Sequence, residues 1–156
     1  MASEKEPLPP SGFFRGADHL FPVRVYYEDT DLSGVVYHAN HLRYMERARS
    51  DMLRVAGIDQ RAAVEDGTGH YAVTDVQIRY RAPARLDDAL VVRSRLAELG
   101  PARCVIAQDI MRDETMIAQG QVTVAFVDAA TGRPRRQPTP WMAIFQQLLS
   151  EPVTHS

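Results

Sequence analysis

The chain is poor in cysteine: Cys104 is the only one in 156 residues. A single thiol excludes an internal disulfide and any zinc site built on paired cysteines, and it fits a reducing compartment. Long hydrophobic runs are also missing, and nothing approaches the roughly 20 apolar residues that span a bilayer. Met1 to Gly12 is polar and bears prolines but has no apolar core segment, so it does not read as a secretory signal and is expected to fray. The expected location is the cytoplasm. Nor is there an excess of one charge: 18 Lys and Arg against 20 Asp and Glu leave a formal net charge of -2. Such a balance gives no reason to expect nucleic acid or an anionic membrane as the main partner. No internal repeat is visible. The length suits one domain with a real core.

What is there is a run of alternating strands around one amphipathic helix. Phe21 to Tyr27 reads as a strand, with Val23, Val25 and Tyr27 alternating with Arg24 and Tyr26, and Pro22 suits a strand start. Glu28 to Gly34 supplies turn chemistry. A helix is expected from about His38–Asn40 to Ala56, closed by Gly57, with Leu42, Met45, Arg49, Met52 and Ala56 as its inward stripe and Leu53 beside it. Ile58 to Gly69 reads as a loop or short helix. Four strands follow, at 72–80, 89–99, 103–112 and 115–128, and the short connections between the last three imply antiparallel hairpins. A basic, proline-rich linker from Thr131 to Pro140 leads into a short helix. Thr139 is its expected N-cap, Pro140 its first residue, and Trp141, Ile144, Phe145 and Leu148 its docking face. The order is α+β. The expected boundaries are a flexible tail at 1–19, one domain at 20–150 and a C-terminal tail at 151–156. One helix cannot cover both faces of such a sheet. Self-association through first-strand edges or sheet faces, as a homodimer or homotetramer, is therefore expected.

The candidate chemistry is concentrated in residues 26–41, Tyr-Tyr-Glu-Asp-Thr-Asp-Leu-Ser-Gly-Val-Val-Tyr-His-Ala-Asn-His. A carboxylate in this turn would lie close to the free N–H groups of a helix N-terminus, which pairs a base or nucleophile with an oxyanion site. Taken singly, each residue has a simpler reading. An Asp in a Ser/Gly turn is usually a turn former or cap, and Asp29 is assigned that role. Tyr27 fits strand packing as well as a site, and His41 is expected on the solvent side of the helix. His38 and His41, with Asp29 and Asp31 nearby, raise the idea of a metal. These ligands would straddle a turn without support from a second cluster, so no metal is expected. Arg79, Arg81 and Arg85, and Arg133, Arg135 and Arg136, are read first as solvated charges.

The segment at 26–38, followed by Tyr-Met-Glu-Arg-Ala-Arg at 44–49 and the Tyr80–Asp88 run, resembles the hotdog-fold acyl-CoA thioesterases of the 4-hydroxybenzoyl-CoA thioesterase type. Among them it is similar to the bacterial Tol–Pal-associated acyl-CoA thioesterases. The resemblance covers about residues 20–140. It implies an antiparallel sheet wrapped around one long central helix, active sites at a dimer interface, and hydrolysis of an acyl-CoA or acyl carrier protein thioester without metal or bound cofactor. It further implies that Asp31 is the catalytic carboxylate, that the helix-start N–H at His38 polarises the thioester carbonyl, and that Tyr27 and His38 assist. It would let the arginine groups touch coenzyme A phosphates. A hotdog hydratase or dehydratase, and a non-enzymatic acyl-binding or envelope-associated interaction protein, are the competing readings. An acid/base pair for Cα–H chemistry would favour the first, but the Asp-x-x-Gly turn fits hydrolysis better.

Overall fold

A computed structural model describes residues 5–150. Its strands are β1 (Phe13–Arg15), β2 (Asp18–Arg24), β3 (His70–Tyr80), β4 (Ala89–Leu99), β5 (Arg103–Arg112) and β6 (Thr115–Val127). Its helices are α1 (Asn40–Val55), α2 (Gln60–Glu65) and α3 (Thr139–Ser150). All six strands form one antiparallel sheet in the order β1-β2-β4-β5-β6-β3. The sheet curls around α1, giving the hotdog architecture.

The burial pattern follows from the pleat, because alternate residues of a strand share a face. Leu90, Val92, Ser94 and Leu96 of β4, Cys104, Ile106, Gln108 and Ile110 of β5, and Ala118, Val122 and Val124 of β6 are all buried. Gly120 belongs to the same series on β6. A Cβ there would come within 2.5 Å of the Met45 methyl, so the missing side chain lets α1 lie close to the sheet. The helix buries Tyr44, Met45, Ala48, Met52 and Leu53. Leu42, expected in the stripe, is exposed instead, and His41 is buried at 4% exposure rather than facing solvent. The inward face is therefore rotated by about one residue from the expected one, because Tyr44 and Ala48, not Leu42, are its large and small fillers. Arg49 lies at the edge of the stripe. Its guanidinium donates to Gln108 Oε1 at 3.0 Å, while Gln108 Nε2 donates to the Met45 carbonyl and to Ser94 Oγ, both at 2.9 Å. A buried amide thus satisfies polar groups on both sides of the helix–sheet seam.

The N-terminal boundary at residue 19 is corrected. Phe13–Arg15 and Asp18–Arg24 form a hairpin at the sheet edge, closed through Gly16 at φ 61°. Ser11 and Gly12 are tied to α1: Ser11 Oγ and the Gly12 N–H donate to the Asp51 carboxylate at 2.9 and 2.8 Å. His19 Nε2 lies 2.8 Å from the same group. These are contacts between positions 32 to 40 residues apart, and no local pattern announces them. The first strand also ends at Arg24, not Tyr27. Val25 keeps its pairing through Asp88 (Val25 N–H to the Asp88 carbonyl, 3.0 Å; Asp87 N–H to the Val25 carbonyl, 2.9 Å), and the chain then enters a 3-10 turn at Tyr27–Asp29.

The linker packs along β6, where Arg135 N–H donates to the Phe126 carbonyl at 2.9 Å. Gln137 is buried, receiving the Tyr71 hydroxyl and donating to the Gly100 carbonyl. The helix after it begins at Thr139, and the Pro138 carbonyl accepts from Trp141 and Met142. Pro138 therefore occupies the capping position expected for Thr139. Phe145 is buried, and Trp141 stacks with Tyr71 and meets Phe126 edge-on. The expected tail at 151–156 lies outside the described residues. No described helix is long and apolar enough to cross a membrane.

Candidate active site

Residues 25–41 leave β2, turn back on themselves and enter α1. The 3-10 turn is closed by Asp29, whose Oδ2 accepts the Tyr26 N–H at 2.8 Å. The Asp29 carbonyl accepts both the Tyr37 N–H and Asn40 Nδ2, each at 2.9 Å. Asp29 therefore joins the start of the loop to the start of the helix, the structural role expected of it. Thr30 pairs with Val36, and the Asp31 N–H donates to the Val35 carbonyl at 2.9 Å. Asp31-Leu32-Ser33-Gly34 is then a tight hairpin tip, which Gly34 permits by adopting φ 81°. A second loop buttresses it. Val36 N–H donates to the Ala84 carbonyl at 2.8 Å, and Asp88 Oδ2 accepts from the Arg85 N–H and the Arg112 guanidinium at 2.8 and 3.0 Å. Those bonds, the backbone one foremost, hold the Asp88 carboxyl below the usual range.

Asp31 is exposed, and among the described residues its carboxylate is held by Ser33, two positions on. Oδ1 accepts the Ser33 hydroxyl and, at 2.9 Å, the Ser33 N–H. These bonds, the hydroxyl first, lower its pKa below the ordinary carboxylate value, so it is an anion at neutral pH. No protein bond to Oδ2 is present among the described residues, which leaves one oxygen of the carboxylate facing water.

The helix start is pre-aimed. Asn40 N–H donates to the Tyr37 carbonyl, His41 N–H to His38 and Leu42 N–H to Ala39, at 2.8, 3.3 and 3.2 Å. The N–H groups of His38 and Ala39 precede these turns and donate to no protein acceptor among the described residues. They are the unsatisfied donors of a helix N-terminus, where the dipole favours negative charge. His38 is exposed, with Tyr37 and Tyr80 as ring neighbours at centroid distances of 4.5 and 6.2 Å.

Tyr27, expected to steady Asp31 or His38, does neither within the single chain. It is 81% exposed and makes no side-chain hydrogen bond to either among the described residues. The aromatic residue that reaches the helix start is Tyr80, whose hydroxyl donates to the His38 carbonyl at 2.9 Å. Tyr80 and the inward-turned His41 are the residues that sequence reasoning passed over. The available signal was the position of Tyr80 at the head of the Tyr80–Asp88 run. The buried Tyr44 hydroxyl has no well-formed hydrogen bond among the described residues, and burial, with the Asp29 carboxylate near it, raises its pKa. No group of three or more His, Cys, Asp or Glu side chains is placed to hold a metal ion among the described residues.

A cavity of about 100 Å³ lies against the middle of α1, lined by Arg49, Leu53, Tyr71, Ile106, Val124 and Phe145 among others. Tyr26, Tyr27, Leu32 and Tyr37 of the segment that carries Asp31 are exposed.

The chain matches the model of the thioesterase-like superfamily over residues 25–149. It is 40% identical over 128 residues to the acyl-CoA thioesterase YbgC of Haemophilus influenzae, covering 82% of this chain and 94% of that one. A probable thioesterase from Bartonella henselae superposes with a TM-score of 0.73 at 37% identity, covering 78% of this chain and 99% of that one. A Staphylococcus aureus protein solved in complex with CoA shares the fold, with a TM-score of 0.81 at 13% identity, covering 97% and 92% of the two chains. With an Asp-bearing turn feeding an open helix N-terminus inside that fold, the chain belongs to the thioesterase-like superfamily and is a thioester hydrolase.

Proposed function

We propose that the protein hydrolyses acyl-CoA thioesters to a free carboxylic acid and coenzyme A, with Asp31 as general base or nucleophile and the N–H groups at His38 and Ala39 as oxyanion donors. The observation that carries the reading is an exposed, ionised Asp31 in the turn that leads into a helix start with two open donors. The similarity to an acyl-CoA thioesterase over most of both chains supports the substrate class. As base, Asp31 takes a proton from water while the hydroxide adds to the carbonyl carbon. The oxyanion forms against the two N–H groups and, on collapse, expels the thiolate. A thiol of pKa about 8.5 leaves readily, so no Ser-His-Asp triad is required. His38, exposed at the same helix start, is placed to orient water or substrate.

An exposed carboxylate with a lowered pKa is a weak base until water is removed from it. A second copy of the chain would supply that cover. The edge strand β3, of 11 residues with Val73 and Val76 exposed, is the long free edge of the sheet, whereas the β1 edge has only 3 residues. On this reading a homodimer would pair through the β3 edge, and Tyr27 would lie within the shared site. The test is a thiol-release screen over short, long and aromatic acyl-CoAs. Release by the native chain and its loss in Asp31→Asn support the reading. Hydration of an enoyl thioester without thiol release would replace it with the hydratase alternative.

A further inference from the structure

Three donors converge on one carbonyl at the helix start. The His38 oxygen accepts the Tyr80 hydroxyl at 2.9 Å, faces His41 Nδ1 at 3.0 Å and accepts the His41 N–H at 3.3 Å. Because the carbonyl can only accept, Nδ1 carries the proton and His41 is the Nδ1–H tautomer. The ring of Tyr80 also meets His41 edge-on at 5.0 Å and His38 at 6.2 Å, so the two donors pack against each other. His41 is 4% exposed, and burial, its largest influence, lowers its pKa, which keeps it neutral.

The peptide bond is planar and trans, so the His38 carbonyl and the Ala39 N–H belong to one rigid unit and point in opposite directions. Fixing the oxygen fixes the direction of the hydrogen. Hydrogen bonds to the oxygen also polarise the amide and strengthen its N–H as a donor. The Ala39 N–H is one of the two open donors at the turn. One carbonyl gathering two side-chain donors is more than helix capping requires, since Ala39 itself has no side-chain cap and the helix starts without one.

We infer that Tyr80 and His41 are positioning residues that clamp the His38–Ala39 peptide from behind and aim the Ala39 N–H at the developing oxyanion. This rests on the thioesterase reading above and names residues of that site which the Asp-x-Asp motif does not contain. Neither side chain needs to touch substrate. The effect belongs to the transition state, where the oxygen carries its charge, so it should appear in kcat and not in KM.

The experiment is steady-state thiol release from an acyl-CoA accepted by the native protein, with a thermal melt for each variant. Tyr80→Phe keeps the ring and deletes one donor. His41→Thr and His41→Val are matched in size, and only threonine can donate to a carbonyl one helical turn back. The expected result is a fall in kcat of about tenfold for Tyr80→Phe at unchanged KM, the scale of one hydrogen bond acting in the transition state. His41→Thr should keep a kcat several-fold above His41→Val. Native kcat in Tyr80→Phe, equal kcat in the two His41 variants, or losses confined to KM would overturn the inference. If Tyr80→Phe does not fold, the His41 pair decides. Asp31→Asn, run alongside, separates the two claims. If it is inactive while the positioning variants behave as native, only the clamp is wrong. If it is as active as native, the thioesterase assignment of Asp31 fails and the clamp goes with it.

Discussion

The molecule contains two carboxylates that each accept a bond from a serine, and they are opposites. Asp51 is buried at 2% exposure, and its oxygens receive the Ser11 hydroxyl, the Gly12 N–H and His19 Nε2. Asp31 is open to water and, among the described residues, held by Ser33 alone, two residues on. The Ser11–Asp51–His19 cluster looks more like a catalytic triad on paper. Its wiring is not that of a triad, because Ser11 donates to the carboxylate and not to the imidazole. Its lone pairs are spent on tying the N-terminal hairpin to the central helix. At Asp31 the polar capacity is left open, in the turn that leads to a helix start with two N–H groups unoccupied among the described residues. A saturated carboxylate holds structure together, whereas an unsaturated one beside a helix N-terminus is free to act on a ligand.

The largest expected break in this comparison is Asp31→Asn. The amide keeps the turn hydrogen bonds but loses charge and basicity, so kcat should fall by about 10²–10⁴-fold, the range for general-base help. The melting temperature should stay near native, because the group has no buried partner to lose.

Asp51→Asn should do the reverse. An amide has one accepting oxygen for three donors, and its –NH₂ must face at least one of them. The cost is about 3 kcal/mol, or roughly 9 °C for a chain of this size. Below its melt the variant should keep kcat within a few-fold of native. Differential scanning fluorimetry together with thiol release reads both effects.

The same cluster predicts a pH dependence. Burial lowers the pKa of His19 despite the carboxylate beside it, and its Nδ1 has no partner. The imidazole is therefore neutral in the folded state and donates through Nε2–H. Because the folded pKa lies below the unfolded 6.5, the unfolded chain binds more protons as pH drops. Stability is full above about pH 6.5 and declines as pH falls toward the folded value. Melting curves between pH 7.5 and 5 should show the decline, and His19→Gln should flatten it. A flat native profile would contradict the neutral-imidazole assignment.

The smallest expected effect is at Asp29. Asn can still accept the Tyr26 N–H, and the bonds that join the loop to the helix use the backbone carbonyl. Asp29→Asn should lower kcat less than tenfold, measured in the same assay. A loss as large as that of Asp31→Asn would mean that both carboxylates of the Asp-x-Asp pair work on substrate.

Much of this was legible in the chain because it is local. The period-2 alternation of β4, β5 and β6, the helix stop at Gly57 and the turn residues around Gly34 each state their own conformation. The candidate carboxylate came from a motif of adjacent residues for the same reason. The N-terminal hairpin was not legible, because Ser11, Gly12 and His19 are ordered by a partner on α1 more than 30 residues away. His41 was misplaced on the solvent side because its burial depends on Tyr80 and the His38 carbonyl, not on helix periodicity. Tyr27 looked like a site residue from its place in the motif, yet in one chain it points to solvent. A motif fixes sequence neighbours, and what a side chain meets in space is not part of any local pattern.

The most direct test of the central claim is steady-state thiol release by Asp31→Asn and Asp51→Asn side by side, each with its thermal melt. The account predicts a crossed result: Asp31→Asn loses at least about 10²-fold in kcat with a native melt, and Asp51→Asn loses its melt and keeps its kcat. An Asp51→Asn that is inactive while folded, beside an Asp31→Asn that turns over at the native rate, would show that the buried carboxylate is the working one.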